Sequence, residues 1–217
     1  MMSMVKGKKI LISMGGTYEP IDSVRGITNK SSGKMGLELA KEAYIRGADV
    51  KLVVANVSVA IPSVFDVVRV ETGKEMNDVI LRLIKDYEIF ISSAAVSDFE
   101  FKRKGHKKID SSSSLFLNLK PTTKIIRQIK KINPDIFLVG FKAEFNISRD
   151  EIIRCAKKQI VDAGTDLVIA NDISRDGCHF GSDSNEVLIV DDDVMTVPLA
   201  SKRQIAKTIF DVISQKI

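Results

Sequence analysis

This 217-residue chain is short of several features, and each shortage removes a class of function. Its two cysteines, Cys155 and Cys178, stand far apart and outside any metal-ligand spacing. That pattern argues against a disulfide-stapled scaffold and predicts reduced thiols in a cytoplasmic protein. No apolar run is long enough to span a bilayer and no signal-peptide pattern is present, so neither a membrane partner nor export is expected. Aromatic residues make up only 6% of the chain, and no Lys/Arg run is interleaved with them. The net charge of +5 therefore points to polyanionic small molecules rather than to nucleic acid. The fingerprint G-x-G-x-x-G is missing, which leaves dinucleotide binding without direct support. Gly33-Lys34 resembles the end of a P-loop, but Gly26 lies too far upstream and Met35 occupies the place of the Mg²⁺-binding hydroxyl. No internal repeat or second hydrophobic unit asks for a boundary, so residues 1–217 are expected to form one domain, with 1–6 as a disordered tail.

What is present is an ordinary globular composition, 44% hydrophobic and 28% charged, enough for a sizeable core. Apolar β-like runs alternate with amphipathic helical stretches. Strands are expected at KKILISMG, at Val50 to Ala55, Val67 to Val70, Glu88 to Ser92, Leu115 to Leu119 and Ile136 to Phe141, and at DLVIAND. Helices are expected from Gly33 to Arg46, Lys74 to Lys85, Thr122 or Thr123 onward, Ser148 to Ala163, and Ser201 to Gln215. Such alternation marks a mainly parallel sheet covered on both faces, an α/β, Rossmann-like, three-layer, doubly wound architecture. Glu186 to Val190 and Val194 to Val197 read as a late β-hairpin. Asp191, Asp192 and Asp193 form its solvated turn, because their carboxylates alternate in direction and nothing else completes a cation shell. The tract 99–114, FEFKRKGHKKIDSSSS, is too charged and too rich in serine for a core and reads as a flexible flap.

The stretch from Gly15 to Gly36, GGTYEPIDSVRGITNKSSGKMG, joins the first strand to the first helix through far more residues than a turn needs. It opens at the carboxyl end of a strand, where open α/β sheets bind their ligands. Ser31, Ser32 and Gly33 stand just ahead of the helix, so hydroxyls and free N–H groups are expected to face one spot, backed by the positive end of the helix dipole. Arg25 and Lys34 add cationic donors, and Asn29 adds an amide that donates and accepts. A phosphate or carboxylate suits that set. The plainer reading is a decorated loop with Ser32 capping the helix, which accounts for neither Arg25, Asn29 nor the Gly15-Gly16 pair.

This segment resembles the signature of the phosphopantothenate–cysteine ligase family, G-G-T-x-E-x-I-D-x-V-R-x-I-[ST]-N-x-S-S-G-x-M-G. Gly15, Gly16, Thr17, Glu19, Ile21, Asp22, Val24, Arg25, Ile27, Thr28, Asn29, Ser31, Ser32, Gly33, Met35 and Gly36 all match. Further motifs follow in order as far as Asn185. Ala94-Ala95-Val96-Ser97-Asp98 matches the family's A-A-V-[AS]-D. Read alone, Asp98 is as much a helix cap or turn residue as a ligand to a ribose hydroxyl or Mg²⁺. The basic tract 102–108 reads alone as a solvated loop; the family places a catalytic Lys-Ile pair ten positions beyond the Asp, where Lys108-Ile109 stand, with Lys107 adjacent. Lys120 to Ile125 departs from the family's T-P-[DK]-I by a proline ahead of two threonines. Phe141 belongs to a G-F-x-x-E match and otherwise reads as a core aromatic. Where family members carry two lysines four apart, this chain has Gln159 and Ala163, with Lys158 as the nearby substitute. Phe180 to Asn185 reads mostly as a structured loop.

The resemblance implies a ligase of coenzyme A synthesis that joins 4'-phosphopantothenate to L-cysteine through an acyl-cytidylate made from CTP, with Mg²⁺ on the triphosphate and no flavin in this chain. It implies catalytic roles for Asn29, Lys108 and Arg25. It implies nucleotide contacts at Ala94, Asp98, Lys108, Thr122, Thr123, Lys124, Ile125, Phe141 and Lys158, with Asp98 facing the metal. It implies phosphopantothenate contacts at Gly16, Arg25, Asn29, Ser31, Ser32 and Gly33. A homodimer and a fused or separate flavin-dependent decarboxylase are the implied partners. Gln159 and Ala163 leave CTP against ATP open. The rival is an NAD(P)-dependent or nucleotide-sugar oxidoreductase, which shares the sheet but needs an acidic residue where Ala55-Asn56 stand.

Overall fold

The computed structural model describes residues 4–101, 108–112 and 114–217. The first strand, β1 (Lys9–Met14), is buried along almost its whole length, as a central strand covered on both faces must be. Its side chains alternate: Ile10, Ile12 and Met14 enter one core, and Leu11 enters another. A long loop holding a small hairpin, β2 (Tyr18–Pro20) and β3 (Gly26–Thr28), leads to α1 (Lys34–Ile45). Then come β4 (Asp49–Val54), β5 (Asp66–Arg69), α2 (Gly73–Leu83), β6 (Ile89–Ser92) and the ribbon β7 (Phe99–Phe101) with β8 (Leu119–Pro121). The chain closes with α3 (Ile126–Ile132), β9 (Phe137–Glu144), α4 (Arg149–Ala163), β10 (Leu167–Asp172), β11 (Ser184–Val190), β12 (Val194–Ser201) and α5 (Lys202–Lys216).

Eight strands form one sheet in the order β12-β11-β10-β9-β6-β1-β4-β5. The six from β5 to β10 are parallel, and β11 and β12 are antiparallel. Helices α1 and α5 pack on one face around Leu39, Ala40, Ala43, Ile209 and Phe210. The other face carries α2 and α3 around Met76, Ile80 and Ile129, and α4 with Ile152 and Ala156. The fold is therefore the expected three-layer α/β one. Strand order reverses at β1, which pairs β4 on one side and β6 on the other, so a crevice opens outside their carboxyl ends.

Several expected details differ. Val5, placed in the tail, is fully buried in the α1/α5 core. The strand expected from Leu115 is confined to Leu119–Pro121, and Phe116 is 93% exposed. Residues 114–121 are all exposed, so their alternation of leucines is not matched to a core. The helix expected at Thr122 or Thr123 begins at Ile126, because Thr122 is still tied to the ribbon: its N–H donates to Asp98 O at 2.9 Å and its hydroxyl to Ser97 O at 2.7 Å. At the late hairpin, Asp191 accepts from Asp193 N–H at 2.7 Å and pairs with Lys216, which makes the triplet a self-capped turn.

Candidate functional site

The long first loop is half framework. Gly16 exchanges hydrogen bonds with Asn56 at 2.9 and 3.1 Å, and Ala95 N–H donates to Gly15 O at 2.8 Å. The loop thereby continues the sheet between the ends of β4 and β6. Buried Thr17 accepts Ser97 N–H at 2.9 Å, and buried Glu19 accepts Gly73 N–H at the start of α2 at 2.8 Å. Asp22 is buried too, and each of its oxygens faces donors alone. Oδ1 takes the N–H groups of Val24 and Arg25, both at 2.8 Å. Oδ2 takes Arg25 Nη2 at 2.6 Å and Ile109 N–H at 3.0 Å. Arg25 Nη2 also reaches Ile109 O at 2.8 Å, so Asp22 and Arg25 grip the chain one residue after Lys108.

The hydrogen bond from Arg25, followed by those from Ile109 and Val24, holds the Asp22 carboxyl far below the ordinary carboxylate range. A group with a depressed folded pKa stabilises the fold fully above its unfolded pKa, about 4, and loses that contribution as the pH falls toward the folded value. Asp22→Asn turns an NH₂ group toward these donors. It is expected to lower the melting temperature at pH 7, with the gap to the wild type narrowing below about pH 4 as the unfolded-state carboxylate takes up its proton while the native one stays charged. Scanning calorimetry across pH checks this, and a constant gap would contradict it.

Above the crevice lies a cleft of about 420 Å³, a size suited to a small-molecule ligand. It is lined by residues 31–36 on one side and 92–98 on the other, and by 122–127, Phe141, α4 and the loop 178–181. Gly33, not Ser32, is the N-cap of α1, with φ 77° and no side-chain cap. A Cβ there would come within 2.4 Å of Val57 Cγ1, so glycine is required by space as well as by φ. Among the described residues the first N–H groups of α1 are thus left open toward the cleft, apart from a long 3.4 Å contact of Lys34 N–H with Ser32 Oγ.

Of the residues singled out by sequence, Ser31, Ser32, Gly33, Ala94, Asp98, Thr122, Thr123, Lys124, Ile125, Phe141 and Lys158 all line this cleft. Asp98 is paired with Lys124, and Lys158 with Asp162 at 3.3 Å. Gly16, Arg25, Asn29 and Lys108 are not among the lining residues. A Cβ on Gly16 would strike Asn29 O at 2.7 Å. Asn29 Nδ2 donates to Ala95 O at 2.9 Å, and Lys108 is exposed beside the Asp22–Arg25 grip. Lys107 and His106 fall outside the described residues.

Sequence reasoning missed Lys202 and undervalued the loop 180–185. Lys202 Nζ donates to Ser182 O. Lys34 Nζ donates to Gly181 O at 2.6 Å and to Asp183 Oδ1 at 2.7 Å. Burial first, and the Lys34 charge second, push the Lys202 ammonium below its usual range. Asn171 and Asn185, both buried, join at 3.2 Å in the same wall. Lys202 is a lone cation at the start of an amphipathic helix, and no spacing in the sequence ties it to Lys34. Both cysteines are free and line the cleft. Among the described residues no group of three or more His, Cys, Asp or Glu side chains is arranged to hold a metal ion.

A mainly parallel sheet with its cleft at the topological switch point, lined by an open helix N-terminus, defines an α/β protein whose cleft suits an anionic small molecule. The chain matches the family model of the DNA/pantothenate metabolism flavoprotein C-terminal domain over residues 5–217, and it belongs to that family. It is 44% identical over 217 residues to the coenzyme A biosynthesis bifunctional protein CoaBC of Thermococcus kodakarensis, covering 98% of this chain and 52% of that protein. The chain spans about half the length of the curated relatives it matches. The crystal structure of the DNA/pantothenate metabolism flavoprotein from Streptococcus pneumoniae superposes with a TM-score of 0.86 at 28% identity, covering 97% of this chain and 100% of that one. The C-terminal domain of a CoaBC protein gives 0.82 at 28% identity, covering 99% and 97%.

Proposed function

We propose that this chain is a phosphopantothenate–cysteine ligase of coenzyme A biosynthesis, working in the cytoplasm as a homodimer. The observation that carries the reading is the meeting of the two signature segments, 31–36 and 94–98, across one cleft. The bifunctional relatives support a flavin-dependent decarboxylase as a fused or separate partner, and no helix among the described residues is long and apolar enough to cross a membrane.

In this reading CTP binds with its triphosphate toward Asp98, Lys124 and Lys158, and 4'-phosphopantothenate lies toward Ser31, Ser32 and Gly33 at the α1 N-terminus, with Lys34 and Lys202 in the adjoining wall. The 4'-phosphopantothenate carboxylate attacks the α-phosphorus, pyrophosphate leaves, and an acyl-cytidylate remains. The amine of L-cysteine then attacks the acyl carbon, CMP departs and the amide forms. A carboxylate is a poor electrophile and both reactants are anionic, so fixed donors and cations are what the chemistry requires. Asn29 orients the acyl group from its anchor on Ala95, and Arg25 with Asp22 sets the root of the segment bearing Lys108. Mg²⁺ characteristically binds through one or two carboxylates together with substrate phosphates. A single carboxylate, Asp98, fits that habit better than an all-protein cage, and the ion would neutralise triphosphate charge there.

The test is pyrophosphate release with phosphopantothenate and each nucleoside triphosphate in turn, with and without cysteine. CTP is expected to support release and to exceed ATP in kcat/KM. Equal values for the two would remove the CTP preference, and no release with any nucleotide would remove the ligase reading.

A further inference from the structure

A second cavity, of about 700 Å³, runs along the outer flank of α1. One side of it is made by Lys34, Leu37, Glu38, Lys41, Tyr44 and Ile45, whose i, i+3, i+4 spacing sets them on one flank of the helix. The loop between β4 and β5 makes the other side with Val59, Pro62, Val64 and Phe65. Tyr44 and Phe65 meet edge to face, with ring centroids 5.9 Å apart, and Tyr44, Ile45 and Val64 are exposed. Apolar side chains gathered around one concave site on the surface mark a place where something binds.

The two ends of the cavity differ. Lys34 and Tyr44 stand ten residues apart on α1, roughly 15 Å along its axis. The Tyr44 end is apolar. At the Lys34 end lie Asp183, Lys202 and Arg203; Lys202 N–H donates to Asp183 O at 3.0 Å, and Lys34 Nζ to Asp183 Oδ1 at 2.7 Å. In the lining, Lys34, Lys41, Lys202 and Arg203 stand against Glu38, Glu42 and Asp183, an excess of one positive charge. Each of those carboxylates already has a partner: Glu38 takes Lys41 and Glu42 takes Arg46, both at 2.7 Å, and Asp183 takes Lys34. What remains is Lys202, buried with its Nζ on the Ser182 carbonyl, and Arg203, which is exposed and makes no ion pair among the described residues. A buried ammonium bonded to a neutral carbonyl is short of a counter-charge. We infer that this cavity binds an amphipathic monoanion, an acyl chain ending in a carboxylate, with the chain on Leu37, Tyr44, Val64 and Phe65 and the carboxylate at Lys202 and Arg203. Lys34 and Lys202 also line the cleft, and the Lys34–Asp183 pair is screened, its carboxylate being 92% exposed. The bound carboxylate competes with Asp183 for these ammoniums and so shifts the cleft wall. Resting on the ligase reading above, its binding lowers turnover.

The test varies the head group and the chain separately. Decanoate, octanoate, decanol and decyltrimethylammonium are titrated calorimetrically into the full chain, below their micellar concentrations. Decanoate is expected to bind, octanoate roughly tenfold more weakly for two fewer CH₂ groups, and decanol and the ammonium about tenfold or more weakly for the lost charge-assisted bonds. Arg203→Gln and Val64→Glu change exposed positions outside the cleft lining, so melting temperature and basal turnover should hold. Each is expected to weaken decanoate about tenfold. Equal binding of all four amphiphiles would reduce the site to apolar adsorption, and decanoate affinity unchanged in both variants would place it elsewhere; either overturns the inference, as does no binding at all. In the pyrophosphate assay, decanoate should lower kcat in the wild type and lose that effect in Arg203→Gln. A rise in KM alone would put decanoate in the cleft and overturn the second site. If no pyrophosphate is released with any nucleotide, the ligase reading falls, and the titrations still decide the cavity.

Discussion

Lys108→Gln is expected to slow acyl-nucleotide formation by roughly 10²-fold, the usual cost of removing one electrostatic contact to a transition state. The side chain is exposed, yet the next residue is held at two points: Ile109 N–H on Asp22 at 3.0 Å and Ile109 O on Arg25 at 2.8 Å. An exposed ammonium on an anchored stem can swing over a triphosphate and neutralise charge as the carboxylate attacks. Glutamine keeps the length and removes the charge. Rapid quench with labelled nucleotide and phosphopantothenate, without cysteine, isolates this step. A wild-type rate in Lys108→Gln alongside a slow Lys107→Gln would transfer the role to the neighbouring lysine. Wild-type rates in both would show that no lysine of this pair acts in the first step.

Asn29→Asp is expected to cost the overall ligase reaction roughly 10²-fold or more in kcat/KM while weakening nucleotide binding far less. Asn29 spends a donor on Ala95 O, which Thr17 N–H also reaches at 3.2 Å. A carboxylate has no donor to offer and would face that oxygen with a negative charge. It would also repel the substrate carboxylate and the oxyanion that follows when cysteine attacks. The acyl-nucleotide should therefore accumulate once cysteine is added, whereas the wild type consumes it. The same quench, run with and without cysteine, reads this out. A variant whose loss lies wholly in nucleotide affinity would place Asn29 with the phosphates.

Much of this molecule is written in local pattern. The strand and helix succession, with its polarity switching between period 2 and period 3.6, was enough to expect a mainly parallel sheet with two covered faces. The length and polarity of residues 15–36 were enough to expect a ligand loop after the first strand. Where reading failed, the deciding interaction was nonlocal. Thr122 and Thr123 look like a helix start until Ser97 and Asp98 claim the hydroxyl and N–H of Thr122. Ser32 looks like a cap until Val57 leaves room only for glycine at the N-cap.

The same division runs through the site. By itself the sequence determined which residue types were available for anion and carboxylate chemistry, because a run of glycine, hydroxyl and amide side chains at the end of an apolar strand has few other uses. Only the tertiary structure decided which of them meet. It turned Thr17, Glu19 and Asp22 inward as struts, since their partners Ser97, Gly73 and Ile109 lie 80, 54 and 87 residues away. It brought Lys202 beside Lys34 through the packing of α5 on α1, because contacts between distant segments depend on how helices dock on the sheet and not on any spacing along the chain.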